Sequence, residues 1–294
     1  MKYPLLAILI ILILGGVVFF YQGKFMPSFS SESHVVSQVV FGEEARKSFT
    51  YKGMQIHPFC LDFMRNGNES GINDKEFQIN LDVCSATTSL VEENQGSLHA
   101  EYPPSEGLFG GDSNYKVLAQ KEREFLVKMT TNGGGTGFFD SIGWVSVEGN
   151  EIRMRREVGV GDRCNGGFTE NVNSETGNLE ISVNVTPADI IELAASSTIK
   201  AYEDLEASAN SCFGTANYLY NIKDEELTFD FVDLGSGEGM PQIADENSAW
   251  TNGYAYQPCF NRLFNSYISS GKTNFKIEEL REFGEKFLST CVKE

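Results

Sequence analysis

Apolar and polar residues alternate along "KEFQINLDVC", with Phe77, Ile79, Leu81 and Val83 on one side and Glu76, Gln78, Asn80 and Asp82 on the other. A period of two is the pattern of a strand with one buried face, and a helix cannot satisfy it. The pattern returns in "EFLVKM" (Phe125, Val127, Met129), in "WVSV" around Trp144, and in "EIRMRREV" (Ile152, Met154, Arg156, Val158). "VEGNE" between the last two reads as a hairpin turn, because Gly149 and Asn150 tolerate positive φ. Gly177-Asn178 does the same before Leu179, Ile181, Val183 and Val185. Consecutive strands joined by short turns make an antiparallel meander.

Helical spacing is confined to two places. In "VTPADIIELAASS", Thr186 is a predicted N-cap, with Pro187 at the first helical position and Asp189 in the first turn. Near the C-terminus, Phe260, Leu263, Phe264, Tyr267 and Ile268 are followed by a break at Gly271. Ile277, Leu280, Phe283, Phe287, Leu288 and Cys291 then resume the period, as in a helical hairpin over about residues 255–294. The expected class is therefore α+β: a predominantly antiparallel sheet domain over residues 50–294 that ends in this hairpin.

Ahead of that domain stands "MKYPLLAILIILILGGVVFFYQGKFMPS", with an unbroken apolar run from Leu5 to Phe20. As a helix the run rises roughly 24–27 Å, just short of a ~30 Å hydrocarbon core. The nearest small-residue pair, Ser28 and Ser30, lies well beyond the run, whereas a signal-peptide cleavage site follows closely. Residues 1–24 are accordingly read as an uncleaved membrane anchor, with a cleaved signal peptide as the alternative. The Ser-rich residues 25–49 are read as a linker. The expected location is the inner membrane, single-pass, with the globular part periplasmic. Residues 1–24 hold two of the 23 basic residues and none of the 41 acidic ones, so the rest carries 21 basic against 41 acidic groups, net −20. Such a surface repels phosphate backbones, which excludes nucleic acid as a partner. The expected partners are the membrane, through the N-terminal segment, and an envelope protein or glycan.

Six cysteines, none in a C-x-x-C pair, sit behind this segment, which suits extracytoplasmic disulfides better than zinc or thiol redox chemistry. Cys259 begins the first helix of the hairpin and Cys291 ends the second, so antiparallel packing brings them together. Cys84 closes a strand and Cys60 lies in the strand-like stretch before it, so a short hairpin-like connection can join them. Cys164 and Cys212 pair by elimination.

Residues 130–168, "TTNGGGTGFFDSIGWVSVEGNEIRMRREVGVGDRCNGGF", hold ten glycines. A phosphate loop needs a helix after the glycine turn, usually with Lys-Ser/Thr. Here strand-like residues follow, and Asp140 stands where a third fingerprint glycine would be. The glycines fit a tight turn beside large aromatics. A backbone-lined ligand groove at Gly135, Thr136, Gly137 and Asp140, with Asp162 and Arg163 from the later turn, is the functional alternative. The succession "GGGTGFF", "GVGDR", "GNLEISV" and "CFGTA", over roughly residues 115–235, resembles a recurrent pattern in uncharacterised bacterial exported and lipoprotein-like β domains. The lipid-accepting N-terminal Cys of the lipoprotein versions is absent here. The resemblance implies a β domain with Cys-containing turns and carries over no catalytic residue.

Other chemistry is thinly represented. His34, His57 and His99 are the only histidines, too scattered for a three-His metal site, and no G-x-S-x-G is present. Ser197 to Lys200 forms S-x-x-K without the accompanying S-D-N and K-T-G elements. "NGNESGINDKE" offers Asn66, Asn68, Ser70 and Asp74 as oxygen ligands in a calcium-loop-like order, but its twelfth position is Phe77 rather than a glutamate. No cofactor is expected. The sequence thus points to a tethered binding or structural module. The competing reading is an extracytoplasmic hydrolase using carboxylates near the 133–140 turn and the 234–246 loop.

Overall fold

The structure is a computed structural model describing residues 38–66, 78–84, 91–94, 96–101, 110–135, 137–161, 168–194, 200–207, 212–234 and 253–292. The anchor segment, most of the 25–49 linker, and Asn68, Ser70, Asp74, Thr136, Asp162, Arg163 and Cys164 lie outside the described residues. Among the described residues no helix is long and apolar enough to cross a membrane.

The meander is an eight-stranded antiparallel sheet. Strands β5 (Val91–Asn94), β6 (Ser97–Glu101), β7 (Asp112–Lys121), β8 (Glu124–Asn132), β9 (Phe139–Glu148) and β10 (Glu151–Gly161) pair in sequence order. β4 (Gln78–Asn80) closes the far edge on β10. Gly149 turns the β9–β10 hairpin with φ +64°, the left-handed geometry that favours glycine there. A second, five-stranded sheet follows, ordered β11 (Thr169–Asn173), β12 (Asn178–Val185), β13 (Gly214–Asn221), β14 (Glu226–Asp233) and β15 (Asn274–Phe275).

Each sheet face is covered differently. On one side of the large sheet, Tyr115, Val117, Val127, Met129, Val145 and Ile152 pack against α1 (Gly42–Ser48), α2 (Pro58–Asn66) and α3 (Leu81–Cys84). On the other side, Leu126, Ile142 and Trp144 pack against Leu179, Ile181 and Tyr220 of the small sheet. The same face of the small sheet continues through Val185, Ala216 and Val232. There it meets α4 (Pro187–Leu193), α5 (Ala201–Asp204), α6 (Gln257–Ser269) and α7 (Ile277–Cys291). Thr186 caps α4 in a reciprocal box with Asp189, satisfying two otherwise orphaned N–H groups. Phe260 and Phe264 interleave with Phe283 across the C-terminal hairpin, and Cys259–Cys291 ties its open ends.

Two local expectations are corrected. Residues 39–48 are not linker: β1 (Val39–Phe41) pairs with Ala119–Lys121, the half of the β7 edge that β6 leaves open, and α1 buries Ala45 in the helix-side core. The unfilled edge and its apolar neighbours draw Val39, Val40 and Phe41 onto the sheet. Of the described part of "KEFQINLDVC", Gln78–Asn80 is strand and Leu81–Cys84 is helix. The Asn80 side chain accepts the Asp82 N–H at 2.9 Å and starts the short helix α3, the local competition that Asn side chains mount against strand continuation. Val83 is consequently exposed, and Cys84 turns inward to bridge Cys60. That bridge joins two helices rather than two strands. His57 Nδ1 accepts the Phe59 N–H at 3.2 Å and Pro58 opens α2, so the stretch around Cys60 is helical. Cys212 is also disulfide-bonded.

Candidate functional site

The small sheet covers only part of the large one. At the middle of the contact, the Trp144 indole N–H donates to the Tyr220 hydroxyl at 2.6 Å, both residues being buried. One rim is closed by Lys121, which pairs with Glu225 of the β13–β14 turn at 2.6 Å. At the opposite rim the even-numbered residues of β8 turn from apolar to polar, and this rim stands open.

Lys128 marks that transition. Its ammonium lies 2.7 Å from Glu170 and 3.1 Å from Asp140, and donates to the Phe168 carbonyl at 2.9 Å, so its three protons have three acceptors. Burial opposes its charge, yet Glu170 and Asp140 outweigh this and hold its pKa above the ordinary lysine value. Asp140 is 2% exposed and also accepts the Phe168 N–H at 3.0 Å. Among the described residues its Oδ1 has no hydrogen-bond partner. Glu170, reaching down from β11, contacts Lys116 at 3.4 Å as well.

Beyond Lys128 no described residue covers the large sheet, and a cleft of about 560 Å³ is lined there by Asn94, Ser97, His99, Asn114, Lys116, Lys128, Thr130 and Glu170. Antiparallel register sets the lining in two rows. Ser97, Lys116 and Lys128 are cross-strand neighbours, as are His99, Asn114 and Thr130. Asn94, Ser97, Asn114 and Thr130 each offer both donor and acceptor capacity. At the outer end of the cleft Glu101 and Asp112 are directly opposed. Partial burial, with Glu101 adding to it and His99 opposing, raises the Asp112 pKa. An acid whose pKa is raised on folding costs stability only while ionised, so the cost disappears as pH falls through the folded value. Asp112→Asn is therefore expected to stabilise the fold by roughly a few tenths of a kcal/mol at neutral pH, with no gain in acid; urea titrations at the two pH values check this.

The sequence-predicted groove residues are only partly brought to this place. Asp140 is the one that touches the cleft's charged lining, as a buried partner of Lys128. Gly135 sits in the β8–β9 turn, where its carbonyl accepts from the Asn132 side-chain amide at 3.2 Å, while Gly134 N–H donates to Asn132 Oδ1 at 2.7 Å. Two of the turn's backbone groups are thus satisfied by Asn132, and the strand after it, β9, offers no helix N-terminus to a phosphate. Gly137 is buried. Asn66 ends α2. Among the described residues no group of three His, Cys, Asp or Glu side chains could hold a metal ion.

His99, Asn114, Lys116, Lys128, Thr130 and Glu170 escaped sequence reasoning. The sequence trace of Asn114, Lys116, Lys128 and Thr130 is the polar half of the alternation in "DSNYK" and "LVKMT", which a solvent-facing strand would also produce. Compared with protein-family models, curated proteins and solved structures, the chain matches none.

Proposed function

We propose that this chain is a membrane-tethered cell-envelope protein whose folded part is an extracytoplasmic binding module, with the cleft beside Lys116 and Lys128 as its ligand site. The observation that carries the reading is the lining of that cleft: hydroxyl, amide and imidazole groups from four adjacent strands, β5 to β8, face one concavity. Among the described residues its one lining carboxylate is Glu170, which contacts two lysines. Polar groups converging from rigid strands suit recognition, whereas hydrolysis by paired carboxylates asks for two that face the substrate. The disulfides suit an oxidising compartment. The likeness of the glycine and Cys turns to exported β domains supports the same placement.

Two experiments test this. Full-length protein in detergent, mixed with washed envelope fragments, is expected to co-sediment saturably. Asn114→Trp, which fills the cleft, should abolish this without lowering the melting temperature. Undiminished co-sedimentation of that variant would remove the cleft from the account. For the tether, native protein should fractionate with membranes and retain Met1 or Lys2 at its N-terminus; an N-terminal sequence beginning near Ser31 would contradict it.

A further inference from the structure

Resting on the assignment of the cleft as the ligand site, we infer that its ligand is a monoanionic, polyhydroxylated molecule: a saccharide unit bearing a carboxylate, held by Lys116. The two lysines of the cleft are not equivalent. Lys128 is 17% exposed and has its three protons committed to Glu170, Asp140 and the Phe168 carbonyl. Lys116 is 44% exposed and makes a single, longer contact of 3.4 Å to Glu170. Lys128 keeps its 2.7 Å contact to Glu170 when Lys116 turns toward a ligand anion, so Glu170 retains a cationic partner.

The rest of the lining selects what carries that anion. His99, Asn114 and Thr130 form one row, and Ser97 stands beside Lys116 in the other. Ser97, Asn114 and Thr130 are each both donor and acceptor, the match for a ligand hydroxyl, which is likewise both. Among the described residues the lining holds no Phe, Tyr or Trp ring, so a neutral sugar lacks a large stacking platform there, and a charge-assisted hydrogen bond becomes the largest attraction on offer. A dianion such as phosphate is disfavoured, since Glu170 lines the same cleft and the chain as a whole carries a net charge of −18.

Isothermal titration of the full-length protein in detergent with sodium glucuronate, and separately with glucose, tests this. Glucuronate is expected to bind at least about ten-fold more tightly, the equivalent of one charge-assisted contact. Lys116→Met should abolish the preference, and Asn114→Leu should weaken both sugars together. Equal binding of the two sugars that is lost in Asn114→Trp would overturn the carboxylate assignment and leave the cleft as the site. A glucuronate preference that survives Asn114→Trp would overturn the cleft itself. Absence of heat with either sugar at millimolar concentrations would overturn the ligand class.

Discussion

Lys128→Met is expected to destabilise the fold by about 3–5 kcal/mol, the cost of removing one partner from a buried charge network. The ammonium is the shared counter-ion of Asp140 and Glu170 and also donates to the Phe168 carbonyl. Methionine fills similar volume but leaves two carboxylates facing each other at the lip of the inter-sheet core. Because the loss comes from stranded charge and not from volume, Lys128→Met combined with Asp140→Asn and Glu170→Gln should recover at least half of it. Chemical denaturation of the four proteins gives the comparison, and a loss below about 1 kcal/mol, typical of an exposed pair, would mean that Lys128 does not organise this rim. The pH dependence has a fixed sign. The folded-state pKa of Lys128 lies above its ordinary 10.5, so its contribution is fully present below that value and fades as pH rises through the folded one.

Trp144→Ala should cost a comparable 3–5 kcal/mol, roughly the range for emptying a large aromatic site in a core. Trp144 is fully enclosed by Leu126, Ile142, Leu179, Ile181 and Tyr220, residues drawn from both sheets. Its loss opens a void at the centre of the only apolar contact that holds the small sheet against the large one among the described residues. Tyr220→Phe isolates the polar part of the same contact, leaving the indole N–H without its 2.6 Å acceptor, at about 1–3 kcal/mol. Thermal unfolding followed by far-ultraviolet circular dichroism reads both. If Trp144→Ala melts within experimental error of the parent, the sheets are held together by something other than this core.

Particular residues explain what could be read from the sequence. The β9–β10 turn at Gly149, the Thr186–Pro187–Asp189 helix start and the hairpin closed by Cys259–Cys291 are local devices. Each is determined by a few residues near in sequence. The division into two sheets was not legible, because β8 and β9 bury both faces at their centres, and Leu126 beside Val127 carries no mark of which layer covers which. Nor was the place of Val39–Phe41, whose strand depends on an edge that β6 leaves unfilled some eighty residues later. The cleft was the least visible of all. It needs residues of β5, β6, β7 and β8 together with Glu170 from a different sheet, and each residue alone looks like ordinary solvated surface.

The cleft as the ligand site is the central claim, and amide chemical-shift mapping of the full-length protein in detergent during titration with sodium glucuronate tests it most directly. Shifts should cluster on Ser97, His99, Asn114, Lys116, Thr130 and Glu170, while Glu180, Ser182 and Asn217 on the outer face of the small sheet stay unmoved. Shifts that concentrate on that outer face, or on the β8–β9 turn around Gly135, would contradict it.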